Sequence, residues 1–195
     1  MDNLLSIFLF TIVMTITPGP NNIMILSSGL NFGIRQSLPH LLGIAIGFPT
    51  MLIAVGLGLD QLIAQQPTLY IWIQVIGVCY LLFLAYQLFT ASQQKTLNKN
   101  PKPFTFLQIF FFQWVNPKAW IMILSGIGSF ATSAGIQETT LVIAASFFVA
   151  IFPCNGAWLF LGAQMQKIIK NEQHLSWFNK TMAVLLITSI VPVII

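Results

Sequence analysis

The sequence predicts an all-α integral membrane fold: one transmembrane domain over residues 1–195, six helices arranged as two inverted three-helix repeats, with helices one and four broken. Three observations carry this. Of 195 residues, 56% are hydrophobic and only 6% are charged, with a mean hydropathy of +0.85, a composition suited to solvation by lipid. Six apolar stretches are each, at roughly 18 to 22 residues, long enough to cross a bilayer as a helix: Leu4 to Leu26, Leu38 to Leu59, Leu69 to Phe89, Phe104 to Leu124, Leu141 to Leu161 and Phe178 to Ile195. The first and the fourth are both interrupted by proline at comparable depth.

Charge placement orients the helices. With six spans, one face receives Arg35, then Lys95, Lys99 and Lys102, then Lys167, Lys170 and Lys180, while the other receives Asp2, Asp60 and Glu138 and no basic residue. Short loops with this asymmetry face the cytoplasm, which puts both termini outside it. The net charge of +4 is therefore topological, and no nucleic-acid footprint is read in it. The first segment opens with Asp2 and lacks a small-x-small cleavage site before Pro18, so it reads as a retained span and not a leader. The longest polar connection, about Thr90 to Pro103, is linker-sized, so the half-repeats fall at about residues 1–92 and 103–195.

Helix one is broken by Thr17-Pro18-Gly19-Pro20-Asn21-Asn22. Pro18 and Pro20 donate no backbone hydrogen bond and crowd the carbonyl four residues earlier, so Met14 and Ile16 should carry freed oxygens. Gly19 lets the chain turn, and Asn21 or Asn22 would cap a new half-helix whose amides and positive dipole end suit a carboxylate. Irregular backbone survives in hydrocarbon only when buried in protein or lining a polar cavity, so the break marks a solute site.

Gly29, Gly33 and Arg35 form a glycine-spaced cytoplasmic turn. Gly43 and Gly47 in helix two are spaced to admit a neighbouring helix, and Pro49, Gly56 and Gly58 loosen its far end. His40 reads as an interfacial histidine, with a proton-relay role as the alternative. In helix three, Tyr70 and Trp72 look like interfacial anchors, and Gln74, Cys79, Tyr80, Tyr86 and Gln87 show no chemistry of their own. Cys79 and Cys154 read as small buried hydrophobes.

Helix four repeats the theme at Asn116-Pro117-Lys118, where Pro117 should free the Gln113 carbonyl. Pro117 lies 14 residues beyond Pro103 and Pro18 lies 15 beyond Asn3, so both breaks fall roughly 21 to 23 Å along their helices, somewhat past the midplane. Three spans separate the two helix starts, so the second half enters from the opposite side, the pattern of an inverted repeat. Lys118 is the only lysine or arginine predicted away from the end of a span. Burying an ammonium is costly, so it reads either as a functional group with a carboxylate partner or a changeable charge, or as a lysine that snorkels to an interface. Helix five carries Pro153-Cys154-Asn155-Gly156, where Asn155 either lines the same cavity or makes an interhelical hydrogen bond. Helix six, with Thr181, Thr188 and Ser189, reads as packing, and Pro192 leaves open an interfacial final segment.

The sequence holds no P-loop, no His-Glu-x-x-His, no Gly-x-Ser-x-Gly and no acidic residue deep in a span, so enzyme chemistry has little to work with, and no cofactor or metal is expected. Thr17 to Asn22, followed by Gly29, Gly33, Arg35, Gly43 and Gly47, resembles the opening signature of the lysine exporter and homoserine/threonine efflux (LysE/RhtB) superfamily. The likeness recurs in Gly77 to Gln87 and in Asn116-Pro117-Lys118. This resemblance implies a six-segment inner-membrane exporter of amino acids and their derivatives, coupled to the proton gradient. Asn21, where many relatives carry Asp, is similar to the branch that exports cysteine and O-acetylserine, and Gln87 stands where relatives often have a basic residue.

Together these readings describe a secondary exporter of small neutral amino acids working by alternating access. The substrate carboxylate would meet Asn21, Asn22 and Lys118, and its ammonium the carbonyls freed by Pro18, Pro20 and Pro117. Lys118 and His40 are the titratable candidates for proton coupling. A passive channel would use the same breaks without uphill export, and a non-transporting scaffold would tolerate their substitution.

Overall fold

The computed structural model describes residues 2–59, 67–96, 102–130, 136–169 and 171–189. These form seven α-helices and no strand: α1 (Asp2–Ile16), α2 (Pro20–Ala54), α3 (Pro67–Thr96), α4 (Phe106–Val115), α5 (Pro117–Phe130), α6 (Ile136–Ile168) and α7 (Glu172–Thr188). A single π turn, Val55–Leu59, extends α2. Asp60, Lys99, Lys170 and Pro192, and the side chains of Tyr70 and Gln74, lie outside the described residues.

The first apolar segment is two helices, as expected, and the glycine-spaced turn expected after it is a sharp bend at Gly33. Helical backbone runs on from Pro20 through Asn31 and bends at one residue, Gly33, whose φ of 75° and ψ of 179° lie in a region that side chains other than glycine rarely adopt. In a straight helix Ser28 and Ser37 would be roughly 13.5 Å apart along the axis. Their hydroxyls are 2.8 Å apart, so the chain doubles back sharply at Gly33. Ser27, Ser28 and Asn31, just before the bend, are buried. Asn31 Nδ2 donates to Asn179 Oδ1 at 2.9 Å, and Asn179 Nδ2 returns a bond to Asn31 Oδ1 at 3.0 Å. Asn179 thus ties α7 to α2, so helix six does more than pack.

Helix four also starts later than expected. Thr105 and Gln108 form a capping box: Gln108 N donates to Thr105 Oγ1 at 3.3 Å and Thr105 N to Gln108 Oε1 at 2.9 Å. The half-helices before the two breaks therefore have 15 and 10 residues, or roughly 22 and 15 Å, and the equal depth expected from proline positions is not reproduced. The α6 helix runs beyond Leu141 to Leu161 at both ends, and α7 begins six residues before Phe178.

Phe48, Phe112 and Phe147 are fully buried at the centre, with Phe48 and Phe147 rings 4.7 Å apart. Outward faces carry large apolar side chains on every helix, among them Leu5, Ile46, Trp72, Phe111, Ile121, Leu141 and Trp177. Aqueous solvent penalises so extensive an apolar surface, and the helices Pro20–Gly58 and Ile136–Ile168 are long and apolar enough to cross a membrane.

Glycines set the closest approaches. Gly43 and Gly47 lie against Phe106, Ile109 and Phe110, so the neighbour they admit is α4. Gly29 and Gly162 make α2 and α6 touch backbone to backbone: a Cβ on Gly162 would run into the Leu26 carbonyl oxygen. Neither backbone can yield locally, so Gly162→Ala should cost about 1 to 3 kcal/mol. Thermal unfolding in detergent checks this against Gly156→Ala on the same helix, where a Cβ meets nothing within 4 Å; equal midpoints for the two variants would contradict it.

Candidate functional site

The first break is crowded with donors. The α1 helix ends at Ile16 and α2 starts with Pro20 at its first position, where a missing N–H costs nothing. Gly19 precedes it in extended conformation and supplies no side-chain cap. Asn21 and Asn22 are therefore the second and third residues of α2 and not its caps, and their backbone amides belong to the first-turn N–H groups that no intrahelical carbonyl reaches.

Each carbonyl that the prolines should free has a side-chain donor. Thr17 Oγ1 donates to Met14 O at 3.0 Å, and Trp158 Nε1 to Ile16 O at 3.1 Å. Asn22 folds back across its own break, its Nδ2 donating to Thr15 O at 3.0 Å and to Thr17 O at 2.6 Å. Lys118 reaches over from the other broken helix: Nζ donates to Thr17 O, to Thr17 Oγ1 at 2.9 Å and to Pro18 O at 3.3 Å. Its alkyl chain lies on Gly19, where a Cβ would stand 2.5 Å from Lys118 Cδ. The Met14 and Ile16 carbonyls read as open to a substrate ammonium are thus held by Thr17 and Trp158, and the partners of Lys118 among the described residues are neutral oxygens and not a carboxylate.

The second break is simpler. Asn116 sits extended at φ −81° and ψ 111°, its N–H donating to Gln113 O at 3.2 Å, so the Gln113 carbonyl expected to be free is closed by Asn116 itself. Pro117 opens α5, and Asn116 Oδ1 accepts from Lys118 N at 3.2 Å. Both second half-helices therefore begin with proline, which aligns Pro20, and not Pro18, with Pro117. Gln113 and Asn21 join the breaks through a reciprocal amide pair at 2.8 and 3.1 Å.

One cavity of about 20 Å³ collects most of these groups. Gly19, Asn21, Asn22, Asn116, Lys118 and Asn155 line it with Thr15, facing an apolar wall that includes Ile44, Phe48, Met122 and Ile151. The volume admits a water molecule and not an amino acid. Pro18, Pro20 and Pro117 shape the breaks without lining the cavity. Asn155 both lines it and bonds across helices, its Nδ2 donating to Asn22 Oδ1 at 2.6 Å. His40 is elsewhere: fully buried, edge-on to Phe104 with ring centroids 5.5 Å apart, and without a hydrogen bond at either ring nitrogen, it is not interfacial. Among the described residues, no cluster of His, Cys, Asp or Glu could hold a metal ion.

Thr15, Gln113 and Trp158 do not stand out in the sequence. Gln113, a lone amide inside Phe110-Phe111-Phe112-Gln113-Trp114, carries a usable signal, because an amide in an apolar run needs a partner; Thr15 and Trp158 carry none.

An apolar helical bundle in which two broken helices meet at a small polar cavity is the construction of a membrane translocator. Comparison with known proteins agrees: the LysE type translocator family matches residues 12–191, and the chain belongs to that family. It is a transporter and not an enzyme. The chain is 33% identical over 167 residues to a cysteine/O-acetylserine efflux protein of Salmonella typhimurium, covering 83% of each chain. It is 31% identical over 183 residues to the cysteine/O-acetylserine efflux protein of Escherichia coli K12, covering 91% of this chain and 90% of the relative. No solved structure matches significantly.

Proposed function

We propose that this protein is a secondary exporter of small neutral amino acids or their derivatives, of the cysteine and O-acetylserine kind, in the inner membrane. The observation that carries the reading is Lys118: a cation from the second break engages the backbone of the first inside a cavity lined, among the described residues, by no acidic one. Such a site has no fixed anion to select a cationic substrate. The substrate carboxylate would meet the first turn of α2 at Asn21 and Asn22, with the Lys118 ammonium as counter-charge. Neighbouring relatives named for cysteine and O-acetylserine efflux support that substrate class.

Alternating access would move residues 1–92 against 103–195 as inverted repeats, with both termini outside the cytoplasm. Support comes from the proline that opens each second half-helix, from the Phe48-Pro49 and Phe152-Pro153 steps in α2 and α6, and from the pairing of α2 with α6 and α3 with α7. Protons are the coupling ion in this reading, with Lys118 and His40 as titratable candidates. Efflux of preloaded labelled amino acids from expressing cells tests it: faster export that continues against a gradient and responds to an imposed pH difference is expected. Export that only dissipates a gradient would instead indicate a passive facilitator.

A further inference from the structure

The acceptors at the break are already engaged, so a substrate ammonium needs other partners, and the cavity contains two. Asn155 Oδ1 and Thr15 Oγ1 are buried without a hydrogen bond, on residues 1% and 6% exposed that both line the cavity. Their orientation follows from the backbone. The carbonyls of residues 15, 16 and 17 converge on Asn22 and require its NH2 group, which turns Asn22 Oδ1 the other way. That oxygen requires the NH2 group of Asn155, so Asn155 is left with its own carbonyl oxygen unengaged. Flipping either amide would set oxygen against oxygen. Thr15 departs from the habit of helical hydroxyls: Thr11 donates to Phe8 O, whereas Thr15 Oγ1 bonds to nothing. A buried unsatisfied oxygen is costly, so two in one cavity favour an occupant with several hydrogen-bond donors.

We infer that Thr15 Oγ1 and Asn155 Oδ1 hold the substrate's ammonium. This rests on the exporter reading and divides the site by charge: Lys118 and the first turn of α2 for the carboxylate, Thr15 and Asn155 for the ammonium. An ammonium, with three donors, satisfies both oxygens at once.

Thr15→Val is the discriminating variant, because it keeps the shape and removes a hydroxyl that makes no bond in the fold. Purified protein in liposomes would exchange labelled small neutral amino acids. Each would compete with its desamino acid: serine with 3-hydroxypropanoate, threonine with 3-hydroxybutanoate, cysteine with 3-mercaptopropanoate. The native chain should prefer the amine-bearing member. Thr15→Val should shrink that preference about tenfold or more, the scale of a hydrogen bond to a charged group. The loss should appear in the half-saturating concentration, with unfolding midpoint unchanged or higher, and Thr15→Ser should restore the preference. Asn155→Ala should shrink it as well. Transport with a native amine preference in Thr15→Val would overturn this assignment alone. No amino-acid exchange by the native chain would overturn the exporter reading and the assignment with it.

Discussion

Replacing Lys118 by Met should reduce efflux to background while leaving the protein inserted and abundant in the membrane. Methionine keeps the length and apolar stem that lie over Gly19 and removes only the ammonium. Three contacts go with it, to Thr17 O, Thr17 Oγ1 and Pro18 O, together with the counter-charge proposed for the substrate carboxylate. Hydrogen bonds to charged groups contribute roughly 1.5 to 3 kcal/mol each, so losing even two in the transport cycle corresponds to about a hundredfold or more. Lys118→Arg should restore little, since a planar fork cannot place one compact donor among three oxygens. Efflux rates normalised to membrane abundance decide it, and native efflux from Lys118→Met would exclude Lys118 from the mechanism.

Asn22→Leu should destabilise the fold at the site. Asn22 is 3% exposed, and its amide is the shared partner of the Thr15 and Thr17 carbonyls and of Asn155 Nδ2. Leucine fills the space but takes their partner from the Thr15 carbonyl and the Asn155 amide, while Thr17 O keeps Lys118. Buried orphans cost about 1 to 3 kcal/mol each in soluble proteins, and interhelical bonds in membranes less, so a loss of roughly 2 kcal/mol is expected. Asn22→Asp should be worse, because a carboxylate would face carbonyl oxygens with nothing to donate. Reversible unfolding in mixed detergent ranks the three chains. An Asn22→Asp chain as stable as the native one would show that Asn22 does not act as the donor.

The breaks are legible in the sequence because proline acts on its own backbone: Pro18, Pro20 and Pro117 announce lost hydrogen bonds wherever the chain goes. Where the freed carbonyls find donors is not legible, since Lys118 lies 101 residues from Thr17 and Trp158 142 from Ile16. Distance along the chain also hides the pairing of Asn21 with Gln113. The turn at Gly33 is legible, but the partners of the polar residues before it are not. Ser27, Ser28 and Asn31 stay helical just before it, with Ser37 and Asn179 satisfying them in the interior. Polarity indicates that partners are needed, and only the fold says whether those partners are water or protein. His40 shows the converse, a polar residue placed at an interface by its position in sequence and found sealed in the core.

The bond between Lys118 and Thr17 also has a consequence for biosynthesis. A ribosome adding about 5 to 20 residues per second makes Lys118 some 5 to 20 s after Thr17. Throughout that interval the Pro18 carbonyl lacks its lysine, and the first break must persist beside a membrane that tolerates few bare carbonyls. Asn22 is made within about a second of the residues it serves. The donors nearest in sequence, Thr17 and Asn22, are therefore made in time to serve the break's carbonyls long before the lysine exists.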